Sequence, residues 1–150
     1  MILAAAALTT AVLPPPGDVM VEVIDGLAVI DEQLDLGFAE YQDWAPELVD
    51  HLDPASEMAT GMRGAYRIWG DDDGGGVIAN LTLWPDIDGA ARYVDQAARD
   101  AAGLGLRADD SPFDGVLAFS GTDEVGDTYT YLTWRDDEYG IAMVAVGEDM

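Results

Sequence analysis

The chain has 150 residues, of which 49% are hydrophobic, and its 30 acidic residues against 6 basic ones give a net charge of −24. This length predicts one domain, and the apolar content is too high for wholesale disorder. The acidic balance argues against nucleic-acid binding, while the absence of cysteine excludes disulfides, thiolate zinc sites and thiol nucleophiles.

The amino-terminal residues form a separate apolar segment. Residues 1–13 carry no charge, and three prolines and a glycine follow them. The run is shorter than the roughly 20 apolar residues that cross a bilayer, so we predict no membrane span. Its length fits a signal-peptide core, and Thr9 and Ala11 have the spacing of a cleavage site, although a positively charged start is missing. We predict a leader over 1–17, a secreted or extracytoplasmic protein, and one α+β domain over 18–150; the alternative is a short buried element of that domain.

Two short helices are predicted between the leader and the first strand. Leu27, Ile30 and Leu34 recur at helical spacing, which predicts a helix over residues 25–35. A second helix is expected from Pro46, because proline in the first turn costs no hydrogen bond and an apolar stripe follows it. Both helices precede the part of the chain with clear strand character.

The remainder of the chain predicts one long helix among several strands. Apolar residues, mostly alanine, recur at i, i+3, i+4 and i+7 over residues 86–102 and indicate an amphipathic helix. Short connections between neighbouring strands favour antiparallel pairing. The predicted fold is therefore α+β, a five-stranded antiparallel sheet in the order ββ-α-βββ, with the Ala-rich helix on one face and the short N-terminal helices beside it. Its strands are 65–69, 77–84, 116–120, 128–135 and 141–146.

The two faces of this sheet are expected to differ. Every odd position of the strand 77–84 is apolar, so we predict that this side packs against the helix. The opposite face carries aromatic, threonine and asparagine side chains. Three uses of it stay open: cover by the N-terminal helices, a homodimer interface, or a ligand groove. The residues predicted to face the helix are Val77, Ala79, Leu81 and Leu83.

Aromatic side chains on these strands are the candidate binding residues. Tryptophan and tyrosine combine a large apolar body with a polar tip, and both are enriched in ligand pockets and protein interfaces. An arginine on the first strand adds a charged group to this set. The ligand or partner that they predict is an unknown protein or a small molecule. The candidate ligand-binding residues are Trp69, Trp84, Tyr131, Trp134 and Arg67.

The acidic turns offer a second kind of site. Asp71 and Asp73 alternate at i and i+2 in a turn rich in glycine, the spacing at which carboxylates bind calcium. The alternative is an ordinary solvated turn, which aspartate and glycine also favour. Calcium is the one cofactor that this pattern predicts, with Asp71 and Asp73 as its candidate ligands.

Catalytic chemistry has few candidates. His51 is the only histidine, which rules out a metal site with two or three histidine ligands, and no serine lies in a G-x-S-x-G turn. His51 can serve as a general base, or it is an exposed residue at the end of a short helix. The enzyme alternative uses a groove on the aromatic face, with Tyr131, Arg67 or His51 as acid–base or orienting groups.

A non-enzymatic binding function agrees best with the sequence, because an aromatic face is expected and a catalytic constellation is not. The leading hypothesis is an exported acidic domain that binds a partner or small ligand through that face. The alternatives are the small enzyme and an acidic protein that captures a basic partner. The charge also agrees with a surface that serves solubility or that binds divalent cations loosely.

Overall fold

The computed structural model describes residues 13–24, 26–111 and 113–148. Residues 1–12, nearly all of the predicted leader's apolar run, lie outside these ranges, so the leader and the export of the protein stay predictions. Residue 25, where the first N-terminal helix was expected to begin, lies outside them as well. Among the described residues, no helix combines the length and the apolar content that a membrane crossing needs.

One antiparallel sheet dominates the described part of the chain, and it has seven strands rather than the predicted five. The strands are β1 Ala28–Leu36, β2 Arg63–Gly70, β3 Gly76–Leu83, β4 Arg107–Asp109, β5 Leu117–Thr122, β6 Asp127–Asp136 and β7 Tyr139–Glu148. Their order in space is β1-β2-β3-β7-β6-β5-β4, and every neighbouring pair is antiparallel. The α+β class therefore holds, whereas the five-stranded sheet is wrong.

The helices lie between these strands and before them. They are α1 Pro16–Val19, α2 Phe38–Trp44, α3 Pro46–Val49, α4 Glu57–Thr60 and α5 Ile87–Gly103. The long helix α5 packs on one face of the sheet, across β6 and β7. We call that side of the sheet the inner face and the opposite side the outer face.

The prediction of the long helix is confirmed. The Asp86 carboxylate caps α5 by accepting a hydrogen bond from the Gly89 amide at 3.0 Å, and the alanine stripe at Ala90, Ala97 and Ala101 is buried. The five predicted strands correspond to β2, β3, β5, β6 and β7, with ends that differ by at most two residues. Local sequence signals were therefore sufficient for these elements.

The predicted helix over residues 25–35 is wrong, because residues 28–36 form the edge strand β1. Two register shifts interrupt its pairing with β2, so its side chains do not show the simple alternation of a strand. The helical spacing was coincidental. Leu27 and Leu34 pack toward the outer face, whereas Ile30 is 67% exposed, so the three residues share no common face.

The strand β4 was not predicted at all. It has three residues, and all of them are exposed. No apolar alternation marks it in the sequence, because it exists only through its pairing with β5 at the edge of the sheet. An element defined by its partner rather than by its own pattern is not visible to local sequence analysis.

The odd positions of β3 lie on the outer face, so the prediction that they pack against the helix is wrong. Ala79 and Leu81 are buried with Trp69 in an outer core, and Val77 packs against it. Alternation places Leu83 on the same side. Among the described residues, this core contains no residue of α5.

Hydrogen bonding explains why the more polar side of β3 lies under α5. The Thr82 hydroxyl donates to the Gly140 carbonyl and accepts from the Trp84 indole N–H, each at 2.8 Å. Asn80 also finds hydrogen-bond partners on this side, one of them buried and the other half-buried. Gly140 permits the close approach of the helix, because a Cβ there would lie 2.7 Å from Tyr93 Cδ2. Polar groups that are hydrogen-bonded can be buried at little cost in free energy, so the polar side of β3 can lie under α5. A different segment then covers the apolar side of β3.

That cover is the N-terminal segment, which we define as residues 13–24. The Arg67 guanidinium donates to the Val21 carbonyl, and the Tyr139 hydroxyl donates to the Pro14 carbonyl. These two hydrogen bonds fasten the segment across β2, β3 and the start of β7. One half of the outer face is thereby closed by the chain itself.

No segment among the described residues closes the other half of the outer face, on β5, β6 and β7. Thr130 and Ala145 are exposed on it, and Leu132 and Met143 are half-buried. The pairing register places these side chains on the side opposite α5. We call this surface the open half-face and define it by Ser120, Thr130, Leu132, Met143 and Ala145.

Candidate functional site

The five candidate ligand-binding residues do not share one surface. Trp69 belongs to the outer core, with Arg67 beside it and Trp134 packed against it, whereas Trp84 and Tyr131 belong to the inner core. All except Trp134 are buried, with an exposed fraction of at most 7%. Trp134 is half-buried. The binding role of the set stays a prediction, and Trp134 is the member whose side chain reaches solvent.

Arg67 joins three parts of the outer face. Its guanidinium forms an ion pair with Glu32 on β1, with 3.2 Å between Nε and Oε1, and it also donates to the Val21 carbonyl. Its Cζ atom lies 6.0 Å from the centroid of the Trp69 ring. Because these groups already bind protein partners, Arg67 holds the N-terminal segment on the sheet.

A chain of hydrogen bonds runs through the inner core. The Tyr41 hydroxyl and the Trp44 indole both donate to Asn80 Oδ1, at 3.2 and 2.8 Å. The hydroxyls of Tyr93 and Tyr41 are 2.7 Å apart, and because the Tyr41 proton points to Asn80, Tyr93 is the donor between them. Burial raises the pKa of Tyr41 and of Tyr93 well above the usual value, so both hydroxyls stay protonated. Asn80 is thus the acceptor that terminates the chain.

Arg67, Tyr131 and His51 are not brought together. Arg67 lies on the outer face, and Tyr131 lies on the inner face, where its hydroxyl donates to Asp100 of α5 at 3.4 Å. His51 follows α3 and lies beside Arg92 of α5. These three side chains therefore share no common groove, and the small-enzyme alternative stays a prediction.

His51 lies in a small groove among charged side chains. The groove has about 110 Å³ and is also lined by Arg92, Asp95, Gln96 and Arg99. Partial burial and the positive charges of Arg92 and Arg99 lower the pKa of His51 from its usual value of 6.5, against a smaller opposing effect of an adjacent carboxylate. The imidazole is therefore neutral at physiological pH.

We expect His51 to titrate below pH 6.5, which the ring protons of this single histidine report directly by NMR. The Arg99→Gln variant removes one nearby positive charge and should raise the pKa, whereas Arg135→Gln, a change outside this groove, should leave it nearly unchanged. Because the pKa of His51 is lower in the folded state than in the unfolded state, the protein should lose stability as the pH falls from the unfolded-state pKa to the folded-state pKa. Above the unfolded-state pKa, His51 should have no such effect. A measured pKa of 6.5 or more would contradict this account.

The turn after β2 uses its aspartates for its own conformation. Asp71 Oδ1 accepts hydrogen bonds from the Asp73 and Gly75 amides, both at 2.8 Å. Within residues 13–24, 26–111 and 113–148, no group of three or more His, Asp or Glu side chains is arranged to hold a metal ion. Calcium binding by Asp71 and Asp73 stays a prediction.

A cleft beside Trp134 is the accessible aromatic site. It has about 480 Å³ and lies between the end of β6 and the loop that precedes β5. Phe113, in that loop, is 62% exposed. The cleft continues into the open half-face, because Leu132 belongs to both. Its lining consists of Phe113, Asp114, Val116, Leu132, Trp134, Arg135 and Asp136.

Of the residues that line this cleft, only Trp134 was a candidate binding residue from the sequence. Phe113 and Val116 lie in the loop before β5; Val116 was predicted as the first residue of a strand, whereas Phe113 lies in no predicted element. The available signal was an aromatic residue in a stretch of turn-forming residues, since loops lie at the surface and often carry binding residues. Asp114 and Asp136 could not be distinguished from the other members of a set of 30 acids.

Comparison with known proteins adds no function by analogy. No protein-family model matches the chain, and no curated protein was found to match it. The function proposed for it therefore depends on the chemistry of its own surface.

Proposed function

We propose that this protein is a non-enzymatic binding domain that takes a basic partner protein over the cleft beside Trp134. The observation that carries the proposal is an accessible aromatic cleft, with carboxylates in its lining, on a chain of net charge −24. The proposal retains the binding function favoured by the sequence and combines it with capture of a basic partner. Trp134 remains as the anchor, and the buried candidates support the fold.

The apolar part of the cleft supports insertion of an apolar side chain. Phe113 is exposed, Trp134, Val116 and Leu132 are half-buried, and a partly exposed aromatic side chain is a common anchor of a protein interface. The open half-face extends the apolar surface beyond the cleft. A standard interface buries about 800 Å² on each side, so a partner seated on the cleft would also cover part of the open half-face.

The charge of the cleft supports a basic partner. Asp114 and Asp136 line it, and the Arg135 guanidinium donates to the Asp137 carbonyl at 3.1 Å, within its own hairpin. A protein with 24 excess negative charges attracts cationic partners and accelerates their association. The same charge opposes a homodimer on this face, because two copies would repel each other.

The test uses two amphipathic peptides as probes, one with lysine and leucine and the other with glutamate in place of lysine. We expect saturable binding of the basic peptide only, with NMR shifts at the cleft. The Trp134→Ala variant should weaken binding by at least about tenfold, the effect expected for an interface anchor. The control is Ile30→Ala, which removes an exposed apolar side chain on β1 and should not change the affinity.

Two outcomes would overturn the proposal. Equal binding of the basic peptide by the wild type and by Trp134→Ala would mean that net charge alone attracts it. A stable homodimer that buries Trp134, detected by sedimentation, would mean that the cleft is closed by a second copy. Added salt separates the contribution of charge from that of the apolar contact at Trp134. Exposed charges are largely screened beyond about 10 Å at 0.1 M ionic strength, whereas the apolar contact persists.

A further inference from the structure

A second cavity lies on the inner face, at the C-terminal end of α5. It has about 280 Å³ and is bounded by Leu104 and Leu106 after the helix and by Val144 on β7. Tyr129 and Asp123 close the side formed by the β5–β6 hairpin. It lies on the side of the sheet opposite the open half-face, so it is a different site from the cleft beside Trp134.

The shape of this cavity depends on two glycines. Gly105 has φ +86°, a left-handed conformation that turns the chain sharply at the end of α5. Leu106 then packs directly against β5, because a Cβ at Gly121 would lie 2.8 Å from Leu106 Cδ2. The aliphatic wall is therefore built by the backbone and does not require a ligand for its position.

Asp123 supplies a fixed negative charge at the edge of the cavity. Its Oδ1 accepts from the Val125 and Asp127 amides, and its Oδ2 accepts from the Tyr129 hydroxyl, all at 3.0 Å. Desolvation raises the pKa of Asp123, but these hydrogen bonds lower it by more, so the pKa lies below its usual value. The hydrogen bond from the Asp127 amide has the largest lowering effect. The carboxylate is thus ionised and held in one orientation.

The end of α5 adds to the negative potential. The C-terminus of a helix carries the negative end of its macrodipole, and the last turn of α5, which the structure describes completely, contains no basic residue. Arg107 does not offset it within the cavity, because its pairing with Ser120 places it on the outer side of the sheet. Charge and apolar surface therefore meet at one small site.

We propose that this cavity binds a small hydrophobic cation, an amine or quaternary ammonium with an aryl or short alkyl group. The apolar group lies among Leu104, Leu106 and Val144, and the cationic group lies against the Asp123 carboxylate and the Tyr129 ring. Aromatic faces attract cations within about 6 Å, so Tyr129 favours this orientation as well. The volume is close to the lower limit of about 300 Å³ for ligand pockets, which selects small molecules.

Three probes of similar size test the ligand class: phenethylamine, 2-phenylethanol and phenylacetate. We expect phenethylamine to shift the amide resonances of Gly105, Gly121 and Asp123 in a saturable way. The neutral alcohol should bind at least about tenfold more weakly, because it lacks the charge, and phenylacetate should not bind. Equal affinity for the amine and the alcohol, or shifts confined to other residues, would overturn the proposal. This ligand series uses the wild-type protein and does not depend on a variant that folds.

Two matched variants test the role of the carboxylate. Asp123→Asn keeps an oxygen that can accept from the hairpin amides but removes the charge, and it should weaken phenethylamine binding by about tenfold. Glu124→Gln removes the same charge from the next, exposed residue and should leave the affinity nearly unchanged. Equal weakening by both variants would mean that general charge, rather than Asp123, attracts the amine. Leu104→Ala, at an exposed position, should also weaken binding, and an unchanged affinity would contradict the contact proposed between the ligand and the aliphatic wall.

Discussion

Replacing Trp69 with alanine should lower the free energy of unfolding by about 3–5 kcal/mol, the range observed when a large buried aromatic side chain is removed. Trp69 is 1% exposed and belongs to the same buried cluster as Leu81 and Ile141 of the sheet and Met20 of the N-terminal segment. Its indole N–H has no hydrogen-bond partner among the described residues, so the loss comes from packing. Denaturant unfolding measures it directly, and thermal unfolding should show a decrease in Tm of about 6–20 °C.

The matched control for this prediction is Trp134→Ala. Trp134 is half-buried, so its removal should cost much less stability than the removal of Trp69, while it should abolish most of the peptide binding proposed for the cleft. The Trp69→Ala variant should therefore affect mainly the stability of the fold, and the Trp134→Ala variant should affect mainly peptide binding. If both variants lost the same stability, the division of the outer face into a closed half and an open half would be wrong.

Replacing Asn80 with alanine should have the second largest effect, a loss of about 2–4 kcal/mol in the free energy of unfolding. Asn80 Oδ1 accepts from the Tyr41 hydroxyl and from the Trp44 indole, so its removal leaves two donors without their acceptor. Each buried donor left without a partner costs about 1–3 kcal/mol, so two cost about 2–6 kcal/mol together. Because Trp44 is only half-buried, the expected loss lies in the lower part of the range for two donors.

Tyr93→Phe is the control that tests the direction of this hydrogen-bond chain. Tyr93 donates to Tyr41 at the far end from Asn80, so its hydroxyl can be removed without leaving a buried donor unpaired. The expected loss is about 0.5–1.5 kcal/mol, the contribution of one ordinary hydrogen bond. A Tyr93→Phe loss as large as that of Asn80→Ala would show that the protons point the other way.

Local patterns predicted the elements that local forces determine. The helix α5 follows from its alanine spacing and from the Asp86 cap, and five strands follow from their β-branched and aromatic content. The bulged strand β1 and the three-residue strand β4 were missed, because each is defined by the strand that it pairs with. A pairing partner distant in the sequence leaves no local signal.

Local sequence patterns also did not determine which face of the sheet the long helix covers. Alternation along β3 indicated that its two sides differ, but it could not indicate which side α5 would cover. Asn80 and Thr82 found hydrogen-bond partners on the inner face, while residues 13–24 supplied an apolar cover for Ala79 and Leu81 on the outer one. The choice between the sides depended on partners from distant parts of the chain.

By itself, the sequence determined the negative charge of the surface, the absence of cysteine chemistry, the α+β class and most of the regular elements. The tertiary structure alone decided which aromatic residues are accessible, because exposure depends on what distant segments pack over a side chain. It buried Trp69, Trp84, Tyr131 and Arg67 and left Trp134 beside Phe113 in an open cleft. Composition and residue spacing can be read from the sequence, whereas a binding site consists of residues from distant parts of the chain that only folding brings together.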